Sequence, residues 1–300
     1  MTHNRRTGTG LILLGAGMAA SAILGPLALG RIVFRVSPSA ESQLLGGEIV
    51  SLVIAAPLGV AAGVLWLRGS RLGPALGIGP ALYGLYTYLQ FILGPEYSRY
   101  PGNNEAYFPL YVALTLLAWV LAVRAWMALD PLSVVQPSTL ARRGLAWVLI
   151  ILNVLFALAW LGSIAAVLGG TAGPEYTADP TLFWLVRTMD LAFVIPAALI
   201  TGTGLLRGAV WATRSAYAVT SFQTLEVGAV AAMAAGMTLR GDPAASPPLL
   251  GMTALFTLAV GCMEVVWLRA AARAQLVGTV QRRGPRAVGE NDSVARDVAA

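Results

Sequence analysis

Long apolar runs, separated by short polar connections that carry arginine, dominate the chain. A bilayer core about 30 Å thick needs roughly 20 apolar residues per helix. Eight stretches reach that length: residues 8–30, 44–67, 72–93, 107–125, 144–168, 182–206, 211–237 and 249–270. None alternates with the period of two that a barrel strand requires. The pattern therefore predicts an all-α, polytopic transmembrane helical bundle of eight spans over residues 1–270, then a polar, disordered cytoplasmic tail over 271–300. The opening run exceeds the roughly 7–15 apolar residues of a secretion signal, so it is read as a retained first span.

Arginine placement sets the expected orientation. Arg5, Arg6, Arg68, Arg71, Arg124, Arg142, Arg143, Arg207, Arg214, Arg269, Arg273, Arg282, Arg283 and Arg286 fall at the N-terminus, in the even connections and in the tail. The odd connections hold Arg31, Arg35, Arg99 and Arg240. Fourteen against four places both termini in the cytoplasm, which an even number of spans also requires.

Composition narrows the chemistry. With 57% hydrophobic and 11% charged residues, against about 25% charged in soluble domains, the chain is no disordered segment, disulfide scaffold, coiled coil or water-soluble enzyme. Every basic residue is Arg, so no phosphate-loop or Schiff-base lysine exists. His3 is the only histidine and Cys262 the only cysteine. Imidazole-held metals, zinc and an internal disulfide are thereby excluded, and no cofactor is expected. The net charge of +6 is spread between apolar runs rather than along one face, which argues against nucleic acid. The lipid bilayer is the expected partner.

Polar groups inside spans are where function is sought, because a charge at mid-membrane costs about 2.5–3.5 kcal/mol on insertion scales. Four acids qualify, Glu48, Asp190, Glu226 and Glu264, together with Arg187. Arg187 and Asp190 are three residues apart on one helical face and are expected to pair. Pro196 removes a helical bond to the carbonyl of Ala192, and broken helices beside charges are a feature of transport sites. Glu226 lies near mid-span with Thr220 and Gln223 on overlapping faces, and Tyr217 and Ser221 close by. That stripe should face protein or water, and a desolvated Glu226 is a candidate proton-binding group. Glu264 is expected near the inner interface beside Arg269. Tyr83, Tyr86 and Gln90 share one side of the third span, and Tyr107 and Tyr111 open the fourth. With Glu48, Arg187 and Asp190 these residues are expected to line a cavity open to the outside. Tyr107 alone is assigned to an interfacial aromatic belt.

Gly94-Pro95-Glu96-Tyr97 recurs as Gly173-Pro174-Glu175-Tyr176, 79 residues later, each in an odd connection. A duplicated hairpin is one explanation, ordinary Gly-Pro turn punctuation the other. Glycine pairs at four-residue spacing (Gly59 and Gly63, Gly73 and Gly77, Gly204 and Gly208) favour close helix packing.

Tyr86-Thr87-Tyr88 with Gly94, Asn103-Asn104 and the stretch from Tyr107 to Tyr111, and Asp190-Leu191 with Phe193, Pro196, Gly202 and Leu205-Leu206, form two recognisable segments. Together they resemble a widespread family of uncharacterised bacterial multi-spanning inner-membrane proteins with no assigned activity. The resemblance covers roughly residues 84–237 and implies fold and inner-membrane location, without any catalytic residue. It adds weight to Asp190 and Tyr86.

Two functions follow as expectations. The first is a small-molecule or proton-linked transporter, with Glu226, Asp190, Arg187, Glu48, Tyr86, Tyr83, Gln90 and Gln223 as candidate ligand or proton sites. The second is a receptor or accessory subunit that binds a lipid or a membrane-protein partner. Catalysis ranks below both. Glu96, Glu105, Glu175 and Asp179 place four carboxylates in the odd connections, a conceivable acid–base or hard-cation cluster, but no nucleophile–base pair accompanies them.

Overall fold

The computed structural model describes residues 2–129, 137–242 and 245–283, with side chains described over 5–129, 137–242 and 245–273. Every element within them is helical. Eight helices are long and apolar enough to cross a membrane: α1 (Arg5–Leu24), α2 (Pro38–Leu67), α3 (Leu72–Leu93), α4 (Asn104–Ala128), α5 (Thr139–Leu168), α6 (Pro180–Leu206), α7 (Val210–Leu239) and α8 (Pro247–Arg273). This is the architecture of a multi-pass membrane protein.

Local chemistry sets several of the ends. Ser37 Oγ accepts from the Ala40 N–H at 3.1 Å, capping α2 just before Pro38. Ser138 and Ser246 accept in the same way from Ala141 and Leu249 at the starts of α5 and α8. The first helix stops at Leu24, earlier than the hydropathy pattern indicates, because Gly25-Pro26 follows. The last helix runs on to Arg283, past residue 270 where the apolar pattern ends. Residues 284–300 of the expected tail lie outside the described residues.

The two halves of the chain repeat one another at a spacing of 139 residues. Proline has no N–H, so Pro57 and Pro196 leave the carbonyls of Val53 and Ala192 without a helical donor. In both helices the turn just before widens to π geometry, Ser51–Ala55 in α2 and Asp190–Val194 in α6. Ala56 N–H then bonds Ser51 O, and Ile195 N–H bonds Asp190 O. Eleven residues after each proline the helix closes on the same turn. Arg68, Gly69 and Ser70 donate to Val64, Trp66 and Leu65, while Arg207, Gly208 and Ala209 donate to Thr203, Leu205 and Gly204. Gly69 and Gly208 have φ of +72° and +71°, a region that penalises a side chain. Gly69→Ala and Gly208→Ala are each expected to cost about 1 kcal/mol, read as matched falls in the thermal midpoint in detergent. Unchanged midpoints would mean that neither turn sets its helix end.

Packing follows the same repeat. Helix α1 lies on α2 and α4, and α3 on α4; correspondingly α5 lies on α6 and α8, and α7 on α8. The halves meet where α7 packs along α2 and α3. Gly46 and Gly47 face Met233 there, and Gly79 faces Ser221. The Gly-Pro-Glu-Tyr pair does not mark this repeat. Gly94 to Tyr97 forms an irregular connection, whereas Pro174–Ala178 is a helical turn.

The outward side of α5 exposes Trp147, Ile151, Leu155, Leu158 and Leu161. An apolar face of this length is what lipid tails solvate without cost.

Candidate functional site

At one end of the bundle the connections after α1, α3 and α5 are laced together. Arg35 forms a fork on Glu105, with Nη2 to Oε1 at 2.6 Å, and also donates to Tyr100 O at 3.0 Å. The hydrogen bond to Glu105 pushes the Arg35 pKa up. Asn103 accepts from Val33 N–H at 2.8 Å and donates to Arg31 O at 2.9 Å. Arg99 and Tyr100 donate to the carbonyls of Thr177 and Ala178, both at 2.9 Å. Asp179 accepts from Ser37 N–H at 2.9 Å. Glu96 accepts from Thr181 N–H at 2.6 Å, where it caps the start of α6. The four carboxylates of the odd connections are therefore committed to four different partners. Glu96 and Asp179 hold backbone N–H groups, Glu105 holds Arg35 and Glu175 holds Arg187. Among the described residues no group of three or more acidic, histidine or cysteine residues is placed to hold a metal.

Between these connections opens a vestibule of about 750 Å³, and beneath it a cavity of about 260 Å³. The two share Ser39, Ala40, Gln43, Glu175 and Leu182. The cavity lies at the seam between the halves, with Tyr86 and Gln90 from α3 and Asp190, Gln223 and Glu226 from α6 and α7 on its walls.

Asp190 occupies the first position of the π turn in α6. Its two oxygens accept from Tyr86 Oη at 2.7 Å and Trp160 Nε1 at 2.8 Å. One turn before Glu226, Gln223 forms a reciprocal amide pair with Asn153 of α5, at 2.8 and 3.4 Å. Glu226 itself has no hydrogen-bond or ion-pair partner among the described residues. Five sequence-chosen residues, Glu226, Asp190, Gln223, Tyr86 and Gln90, thus come together.

The other three do not. Arg187 does not pair with Asp190. Its guanidinium is 2% exposed and grips Glu175, with Nη1 to Oε1 at 2.8 Å and Nη2 to Oε2 at 2.7 Å. It lies over Trp160 at 4.3 Å and Phe183 at 3.7 Å, so the Trp160 ring contacts the cation on its face and the Asp190 carboxylate at its N–H edge. Glu48 lies in the first half, away from the cavity, buried with Oε2 accepting from Leu27 N–H at 3.0 Å. Its carboxyl presses on Gly25, where any Cβ would collide with it. Tyr83 is also in the first half, bonded to Ser51 Oγ at 3.0 Å and Gly47 O at 3.1 Å. Glu264 does not sit with Arg269 but accepts from Ser221 Oγ at 2.6 Å.

Sequence reading missed Asn153, Trp160 and the Glu175 clasp. Asn153, Phe156 and Trp160 fall at i, i+3 and i+7, one helical face, and that spacing was the available signal.

The two halves fill the equivalent region differently. In the first half Phe34, Tyr88, Phe91 and Tyr111 form a stack with ring centroids 4.8–6.3 Å apart. The positions 139 residues after Tyr88, Phe91 and Tyr111 are Val227, Val230 and Leu250, which leave room. Glu48 and Arg187 are likewise equivalent positions, as are Ser51 and Asp190. Comparison with protein-family models, with curated proteins and with solved structures found no match to this chain.

Proposed function

We propose that this protein is a small-molecule transporter of the bacterial inner membrane, linked to proton movement through Glu226, with both termini in the cytoplasm and the vestibule on the outside. The arginine distribution supports that orientation. The observation that carries the reading is a cavity at the seam of two repeated halves, lined by a partnerless Glu226 and by Asp190. Parallel repeats with a site at their interface are a recurrent transporter plan. A carboxyl exposed to that cavity can take or release a proton as its occupant changes.

The test uses proteoliposomes loaded with a pH-sensitive dye and challenged with a panel of small solutes. A solute that drives proton movement in the wild type is expected to drive at least about tenfold less in Glu226→Gln. Proton movement indifferent to that substitution removes Glu226 from the mechanism. A lipid retained in the cavity through purification, identified by mass spectrometry, would instead favour a lipid receptor.

A further inference from the structure

We propose that the cavity binds a small organic cation bearing an apolar or aromatic group. This rests on the transport reading only for its biological use and names the substrate class for the same site; the binding claim stands on the cavity itself.

The charge of the lining decides the sign of the ligand. The two donors nearest Asp190, Tyr86 Oη and Trp160 Nε1, are already spent on it. The amides of Gln223 and Asn153 bond each other. The neighbouring cation, Arg187, is clasped by Glu175 behind the Trp160 ring. The charged groups that line the empty space are Glu226, Asp190 and the Arg187-bound Glu175, and no basic residue is among the described residues that line it. An anionic ligand would meet carboxyls and no basic lining residue to offset them. A positively charged one completes the set.

The walls decide its kind. Phe156, Phe256, Val227 and Val230 are apolar, and Tyr86 and Trp160 add ring surface, which suits an alkylated or aryl ammonium better than a hydrated metal ion. A hard divalent cation would look for about six to eight oxygen ligands, and the described residues bring no such set together. Size limits it further: about 260 Å³ lies just under the ~300 Å³ lower end of ligand pockets, so the cation must be small.

Benzyltrimethylammonium is the probe, and neopentylbenzene, its uncharged carbon isostere, is the control. Binding is measured by titration calorimetry on the full chain in a non-ionic detergent. The cation is expected to bind, neopentylbenzene to compete at least about tenfold less well, and Glu226→Gln to weaken the cation by about tenfold or more. Asp190→Asn, which keeps one acceptor oxygen for Trp160 Nε1 and offers Tyr86 Oη an N–H to accept, should weaken it too. Monodisperse elution of both variants establishes that they fold. Equal competition by neopentylbenzene, or unchanged affinity in both variants, overturns the proposal. Binding without movement of the cation into proteoliposomes upholds the site and removes the transport reading. Solute-driven proton flux with no binding of the cation keeps transport and overturns the substrate class.

Discussion

Glu175→Ala is expected to destabilise the protein by about 3 kcal/mol, more than Arg187→Met on the opposite side of the same ion pair. The two partners differ in exposure: the Arg187 side chain is 2% exposed and the Glu175 side chain 51%. Removing Glu175 leaves a guanidinium among Trp160, Phe183 and Ser163 Oγ with no carboxylate bonded to it. Breaking a buried pair from the exposed side leaves the charge that cannot reach water. Arg187→Met leaves a carboxylate that is already half in solvent, and methionine refills part of the space between the rings, so the expected cost is about 1 kcal/mol. The double variant should resemble Arg187→Met alone. Thermal unfolding in detergent separates the three. If Arg187→Met proved the more damaging substitution, the clasp would matter for its ring contacts and not for charge.

That clasp also marks where sequence reasoning stops. Hydropathy located all eight spans, because a bilayer demands about 20 apolar residues whatever the packing. Their ends depended on smaller chemistry, such as Gly25-Pro26 after α1 and the Ser37 cap before α2. Depth of burial similarly singled out Glu226 and Asp190, since any acid far from a span's end must find protein or water. Pairing was another matter. An i, i+3 relation on an ideal helix points Arg187 and Asp190 the same way, but Trp160 arrives from α5 to take Asp190 by its N–H and Arg187 on its ring face, while Glu175 takes the guanidinium. Neither Trp160 nor Glu175 is a helical neighbour of that pair. The repeat was written openly in the sequence as Pro57 with Leu67-Arg68-Gly69 and Pro196 with Leu206-Arg207-Gly208. Gly-Pro-Glu-Tyr is the more conspicuous duplicate, yet its residues serve turns for local reasons and say little about the fold.

The halves differ where function is proposed. Aromatic residues that fill the first half are matched by valine and leucine in the second, and Ser51 by Asp190. A fold that builds the same frame twice can lock one copy with a Tyr88–Phe91–Tyr111 stack and leave the other open. On this view the first half is a rigid template against which α7 is registered, and the seam between α2 and α7 fixes the width of the cavity.

Gly46 sets that seam, so Gly46→Ala is expected to be the most damaging single-methyl change in the bundle. A Cβ at this position would collide with backbone atoms of Met233 and with Ala232 C on α7. Backbone cannot turn aside as a flexible side chain can, so α2 and α7 must part along their length. Overpacking of this kind costs about 1–3 kcal/mol, and the upper end applies where the obstacle is a helix. Gly144, on α5, is the matched contrast, because a Cβ there meets nothing within 4 Å. Gly144→Ala should be neutral or should stabilise by up to about 1 kcal/mol through reduced backbone freedom in the unfolded chain. Gln43, Leu44 and Met233 beside the contact also line the cavity. Gly46→Ala should therefore lower the thermal midpoint and weaken benzyltrimethylammonium together, while Gly144→Ala does neither. A Gly46→Ala protein with wild-type midpoint and affinity would show that the seam tolerates separation and does not set the cavity's width.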